Sequence, residues 1–310
     1  MTKRDFLTSD DMSRDELLAV LDGADRHKAE RRLRSTLGGR TIALIFEKPS
    51  TRTRVSFEVA IHELGGHPLP LVGAELQIGR GETLEDTAAV LSRYVHAIVL
   101  RTFAQETLER MARAGSIPVI NALSDYAHPC QALADLQTIR ERRKQLEGLR
   151  LAYLGDGNNV CHSLLIACTK VGMHMAVATP AGYEPIPQVV RRATEIAAET
   201  GGSVELTHDP KAAAKDADVL YTDVWASMGQ ELEHGERALI FKPYQLSTDT
   251  VAAASSDVVV LHCLPAHRGE EITGDVLDGP SSAVFDQAEN RLHTQKALLS
   301  WLMTGSSDPS

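Results

Sequence analysis

The stretch TIALIFEKPSTRTRVSFEVAIHELGG, residues 41–66, decides the fold. Its first six residues are apolar or β-branched and have the length of a buried strand. Ser50 is a natural N-cap, Phe57, Ile61 and Leu64 fall on one helical face, and Gly65-Gly66 stops the helix. The same strand, polar turn and helix recur along the chain. Strand-like runs occupy 41–46, 68–72, 96–100, 117–121, 150–154, 174–178, 203–207, 219–222 and 257–261, with helix-period segments between most of them. Alternation of this kind predicts an α/β fold with parallel sheets covered by helices on both faces. A helix beginning near Gln131 ends in the charged stretch 140–147, Gly148 follows, and a fresh strand opens at Arg150. The expectation is therefore two domains, each a parallel sheet flanked by helices: residues 1–147 and 148–286, with a last helix, 287–302, packing back on the first.

The 310-residue length fits two domains of ordinary size, each able to bury a core. At 43% hydrophobic and 24% charged residues, the composition is that of a globular enzyme and excludes disordered and fibrous classes. Lys plus Arg (32) less Asp plus Glu (42) leaves a net charge of −10. That sign argues against nucleic-acid or anionic-membrane partners, which need a basic field. No secretory signal and no run of membrane-spanning length is read, so a cytoplasmic location is expected. The four cysteines, Cys130, Cys161, Cys168 and Cys263, contain no C-x-x-C and read as free thiols in a reducing compartment.

Ligands of open parallel sheets bind at the carboxyl ends of strands, which directs attention to the residues following each strand. After the first come Ser50, Thr51, Arg52, Thr53 and Arg54 at a helix start, where free N–H groups and guanidinium forks suit a phosphate. The arginines oppose the helix dipole, and charge set against local preference suggests function. Arg101 follows the third strand, and His128 and Gln131 follow the fourth; together they can donate hydrogen bonds to one small carbonyl ligand. The run Gly155-Asp156-Gly157-Asn158-Asn159-Val160 imitates a dinucleotide fingerprint, yet Val160 stands where the third glycine belongs. Asn159 at that helix start can instead hold a substrate carboxylate or amine. Later strand ends supply Asp223 to Gly229 and His262 to Gly269. A zinc site on His262, Cys263 and His267 is disfavoured, because adjacent residues on extended backbone point oppositely and Pro265 interrupts helical facing. No metal and no cofactor is expected.

Two segments, Ser50-Thr51-Arg52-Thr53-Arg54 and His128-Pro129-Cys130-Gln131, resemble the carbamoyl-phosphate signatures of the aspartate/ornithine carbamoyltransferase family. The segments Asp223 to Gly229 and His262 to Pro265 resemble the amino-acid side of its ornithine-using branch, and the likeness runs from about Phe6 to Leu299 in the family's order. The resemblance implies an active site in the cleft between two α/β domains. Ser50, Thr51, Arg52 and Thr53 would hold the phosphate of carbamoyl phosphate, with Arg101, His128 and Gln131 around its carbamoyl end. Gln77 would reach an active site across a subunit boundary. Asn159, Asp223, Ser227 and Met228 would bind L-ornithine, and Cys263, Leu264 and Arg291 would complete the site. Arg52, Arg101, His128 and Cys263 would carry the catalysis. The resemblance further implies a homotrimer and carbamoyl transfer giving L-citrulline for arginine biosynthesis. Rival readings are a carbamoyltransferase for putrescine or N-acetylornithine, a non-catalytic α/β binding protein and a nicotinamide dehydrogenase.

Overall fold

A computed structural model describes residues 3–72, 81–226 and 234–307. The chain forms two compact units, Met1–Gln137 with Glu289–Ser310, and Thr138–Ala288. In order, the first contains α1 (Arg14–Ala29), β1 (Thr41–Phe46), α2 (Thr51–Glu63), β2 (His67–Val72), α3 (Leu84–Tyr94), β3 (Ala97–Arg101), α4 (Gln105–Ala114), β4 (Val119–Leu123) and the start of α5 (Pro129–Arg143). The second contains β5 (Arg150–Leu154), α6 (Asn159–Lys170), β6 (His174–Ala178), α7 (Pro187–Thr200), β7 (Ser203–Thr207) and α8 (Pro210–Ala214). It continues through β8 (Val219–Thr222), α9 (His234–Phe241), α10 (Thr248–Ala253), β9 (Val259–His262) and α11 (Gly274–Leu277). The last helix, α12 (Val284–Thr304), begins in the second unit and ends in the first. The division of the chain falls inside α5, upstream of the expected boundary at 147/148.

The first sheet has the order β2-β1-β3-β4 and the second β7-β6-β5-β8-β9, with every pairing parallel. The two-domain α/β fold with helix-covered parallel sheets is thus as the alternation predicts. β3 is buried along its whole length and β1 along all but its two ends, whereas the edges β2 and β7 are open to solvent. The prolines Pro68 and Pro70 are tolerated in β2 because an edge strand needs fewer donors. Ile45, Ile98, Leu100, Leu108 and Met111 anchor one core, and Leu154, Leu220, Val260 and Leu246 the other.

β4 starts later than the 117–121 reading. Pro118 has no N–H for a ladder, and the Val119 N–H is taken by Asp5 Oδ1 at 2.8 Å while Phe6 N–H donates to the Val119 carbonyl at 2.9 Å. The N-terminal segment therefore covers the β4 edge, a pairing the sequence pattern did not disclose. Within the first unit, α12 is tied by Lys296 Nζ to Glu63 Oε2 at 2.9 Å and by Asn290 Oδ1, which accepts from Lys28 Nζ at 2.8 Å. Among the described residues, no helix is long and apolar enough to cross a membrane.

In each sheet the strand order reverses direction once, between β1 and β3 and between β5 and β8. Those reversals leave a crevice at the carboxyl ends of the flanking strands. The polar segments singled out in the sequence follow these strands and the adjacent β4 and β9.

Candidate active site

In the first unit, Ser50 caps α2, its hydroxyl accepting from the Thr53 N–H at 3.3 Å. That leaves free N–H groups and the positive end of the helix dipole at the end of β1. Thr53 is buried there, while Arg52 is exposed. Arg54 turns away to Glu58 on the next turn, Nε to Oε1 2.7 Å, so this arginine of the motif serves the helix surface. Neighbouring β3 ends in the buried Arg101, and Thr102 after it donates its hydroxyl to Glu47. Sequence reasoning passed over Lys48, which is buried with its ammonium 2.5 Å from Asp125 Oδ1 and 4.0 Å from the Phe103 ring centroid. An ammonium over an aromatic face is attracted by the ring quadrupole, which fixes the turn between Ser50 and β1.

His128 ends the β4 loop, and its carbonyl accepts from the N–H groups of Gln131 (3.0 Å) and Ala132 (3.3 Å), opening α5. Its imidazole is buried, and burial together with the positive charges of Arg291, Arg101 and Arg52 holds its pKa well below the ordinary value. It is a neutral group at physiological pH, able to donate one hydrogen bond without carrying charge. Gln131 Nε2 donates to Asp135 Oδ1 at 2.8 Å, and Gln131 Oε1 accepts from Arg291 at 2.7 Å. Arg291 also reaches Thr53 Oγ1 at 3.4 Å. This fixes the amide orientation and leaves the second Nε2 hydrogen to point elsewhere. Cys130 lies between these residues in sequence but donates its thiol to the Asn121 carbonyl at 3.3 Å, and burial pushes its pKa up to about 12. It is an inert core thiol. The structure thus brings Arg52, Arg101 and Arg291 within electrostatic reach of His128, three guanidiniums bearing on a neutral ring.

In the second unit, the β5 turn begins at Gly155 with φ 142°. At Gly157 a Cβ would meet Pro185 N at 2.3 Å, so the turn requires glycine there. Asn158, not Asn159, is the N-cap of α6: its Oδ1 accepts from Val160 N–H (3.0 Å), Cys161 N–H (3.2 Å) and the Tyr153 hydroxyl (3.2 Å). Its Nδ2 donates to Asp223 Oδ2 at 2.8 Å. The other carboxylate oxygen, Asp223 Oδ1, accepts from Cys263 Sγ at 3.0 Å. Asp223 is therefore held on both oxygens at the ends of the adjacent parallel strands β8 and β9. Asn158 was missed because two asparagines stand in tandem; the signal available was the Asx preference for the residue before a helix. Asn159 is half-buried in the first turn of α6. Beside the same turn, Arg237 pairs with Asp156, donates to the Trp225 carbonyl at 2.5 Å and lies over the Tyr183 and Phe241 rings at 4.8 and 5.1 Å. Gln77, Ser227 and Met228 lie outside the described residues.

The geometric ground for disfavouring a metal at His262 and Cys263 does not hold as stated. Donor atoms of Asp223, His262 and Cys263 lie within 4.8 Å of one another. Hydrogen bonding supplies a different reason: the Leu264 N–H donates to His262 Nδ1 at 2.8 Å, and His262 Nε2 faces Glu271 Oε1 at 3.0 Å. Both ring nitrogens are occupied, which leaves no lone pair on His262 for a metal.

Two open parallel sheets, each with charged and amide side chains converging at its switch point, define a two-unit α/β enzyme that handles a small anion and an amino compound. Residues 4–141 match the carbamoyl-P binding domain of aspartate/ornithine carbamoyltransferase, and residues 147–302 match its Asp/Orn binding domain. The chain belongs to the aspartate/ornithine carbamoyltransferase family. An ornithine carbamoyltransferase of Parafrankia sp. (strain EAN1pec) is 64% identical over 98% of this chain and 97% of its own. An ornithine carbamoyltransferase of Pyrococcus furiosus described as anabolic is 55% identical over 97% of each chain. The solved ornithine carbamoyltransferase structure from Pyrococcus furiosus superposes with a TM-score of 0.95 at 54% identity, covering 98% of both chains.

Proposed function

We propose that this protein transfers the carbamoyl group of carbamoyl phosphate to the δ-amine of L-ornithine, giving L-citrulline and phosphate, in the direction of arginine biosynthesis. The observation that carries the reading is the Cys263–Asp223 contact, which joins the two segments resembling the ornithine-using branch, with Asn158 holding the second Asp223 oxygen. High identity to proteins named ornithine carbamoyltransferase, one of them anabolic, supports it.

In this reading residues 1–147 with helix 287–302 serve carbamoyl phosphate, and residues 148–286 serve ornithine. The α2 start, with Ser50, Thr51, Arg52 and Thr53, takes the phosphate, and Gln77 adds to it from a neighbouring subunit of a homotrimer. Arg101, neutral His128 and Gln131 donate to the carbamoyl oxygen, and Leu264 and Arg291 complete the set. Asp223 takes ornithine's α-ammonium, Asn159, Ser227 and Met228 its backbone, and Cys263 lies by the reacting amine. The enzyme works in the cytoplasm, without a metal, cofactor, nucleic acid or membrane.

The reacting amine must be neutral, and an amine with reference pKa about 10.4 is only about 10⁻³ to 10⁻⁴ free base at pH 7. Its lone pair attacks the carbamoyl carbon, the oxygen becomes an oxyanion facing Arg101 and His128, and the C–O bond to phosphate breaks. Phosphate leaves with that electron pair, and the amine sheds its proton. Donors fixed before reaction stabilise the developing charge without reorganising. Incubation of the protein with both substrates should yield citrulline and phosphate one for one; phosphate release without citrulline would overturn the reading.

A further inference from the structure

We infer that Glu271 is a positioning residue for the Cys263–Asp223 pair, acting through the tautomer of His262. This rests on the ornithine reading above for its kinetic consequence, though not for its structural one.

The chain of contacts starts at Leu264. Its N–H can only donate, so His262 Nδ1, 2.8 Å away, must be unprotonated. A neutral imidazole then carries its proton on Nε2, where Glu271 Oε1 accepts it at 3.0 Å. The same oxygen accepts from the His267 N–H at 2.6 Å, which fixes the carboxylate. Both His262 and Glu271 are 0% exposed, so neither can substitute water for the other. The His262 N–H is held separately by Gln287 Oε1 at 2.9 Å, and Gln287 Nε2 donates to the Tyr221 hydroxyl at 3.1 Å.

The Leu264 N–H bond to His262 Nδ1 spans the backbone of Cys263. It folds residues 262–264 into a tight turn whose middle member, Cys263, presents Sγ to Asp223 Oδ1 at 3.0 Å. Were the proton on Nδ1, it would confront the Leu264 N–H, two donors face to face, and the turn would open. A buried carboxylate at Nε2 forbids that tautomer. Through His262, Glu271 decides where the thiol points.

The test combines nitrogen-15 NMR of His262 in the free protein with steady-state kinetics of two variants. The wild-type spectrum should show the Nε2–H tautomer; an Nδ1–H tautomer would overturn the inference while leaving carbamoyl transfer untouched. Absence of citrulline from the wild type would instead sink the functional reading and leave the tautomer standing. Glu271→Ala should raise the KM for ornithine on the order of 10- to 100-fold, as when a hydrogen bond to a charged group is lost, and should raise it more than the KM for carbamoyl phosphate, whose set shares Leu264 with this turn. Glu271→Gln, whose amide oxygen still accepts from Nε2–H, should restore ornithine use to within about threefold of wild type. Ornithine kinetics in folded Glu271→Ala equal to wild type, or losses shared evenly between both substrates, would contradict the assignment. The wild-type spectrum decides even if the alanine variant does not fold.

Discussion

Arg52 and Arg54 stand two apart in one motif and do different work. Arg54 is spent on Glu58, whereas Arg52 bears on buried His128 together with Arg101 and Arg291. Arg52→Ala is therefore expected to lower kcat/KM about 10²- to 10³-fold, the usual loss for one electrostatic donor, while Arg54→Ala stays within about threefold. Steady-state assays on both variants check this, and near-normal turnover in Arg52→Ala would remove that guanidinium from its role. Cys263→Ala should raise the KM for ornithine and leave that for carbamoyl phosphate little changed; unaltered ornithine kinetics would count against the Asp223–Cys263 pairing. Because the His128 pKa is held well below the ordinary range, it does not titrate near neutrality. Activity should then climb from neutral to alkaline pH as ornithine loses its proton, and a flat profile would exclude deprotonation of that amine as a limiting step.

At the scale of the element, both candidate clusters depend on helix starts that follow strands, and there the sequence was most readable. Ser50 announced the α2 cap, and arginines placed against the dipole marked the anion end. The cap role of Asn158 was not read, because pattern alone does not say which of two adjacent asparagines is still extended. Glu271, Gln287 and Lys48 were not legible at all: their roles arise from contacts to His262, Tyr221 and Asp125 that only tertiary folding creates. Asn158→Ala should cost roughly 0.5–2 kcal/mol in urea denaturation through the lost cap, and should also weaken ornithine use by freeing Asp223. Asn158→Asp keeps the cap acceptors but sets a second carboxylate against Asp223, so its stability should lie above that of the alanine variant while ornithine use stays poor. Stability equal in the two variants would mean that the cap contributes little.

For the whole molecule, the alternation of strands and helices was legible because parallel sheets bury continuous apolar runs. The edge cover by Phe6 and the polar core beneath α12 were not, since neither has a local pattern. Within that core His27 is fully buried with no hydrogen-bond partner on either ring nitrogen among the described residues, and burial, then the charges of Lys296 and Arg34, lower its pKa to about 3. An unfolded chain takes up this proton near pH 6.5 and the folded one only near 3, so stability must fall as pH drops through that window, by up to about 1.4 kcal/mol per pH unit for this group. His293, also lowered by burial, adds in the same direction. Chemical denaturation of His27→Leu should show a shallower loss between neutral and acidic pH than the wild type; identical slopes would contradict a buried neutral imidazole.

Two half-sites, one shaped for a phosphorylated carbamoyl donor and one for an α-amino acid bearing a terminal amine, make the choice of acceptor the sharpest question. Parallel assays of carbamoyl transfer to L-ornithine, putrescine, N-acetylornithine and aspartate answer it. Ornithine should be used with a kcat/KM at least about 10²-fold above every other acceptor, since putrescine lacks the α-carboxylate, N-acetylornithine masks the α-amine and aspartate has no δ-amine. Equal or better use of putrescine, which has no α-carboxylate, would contradict the account.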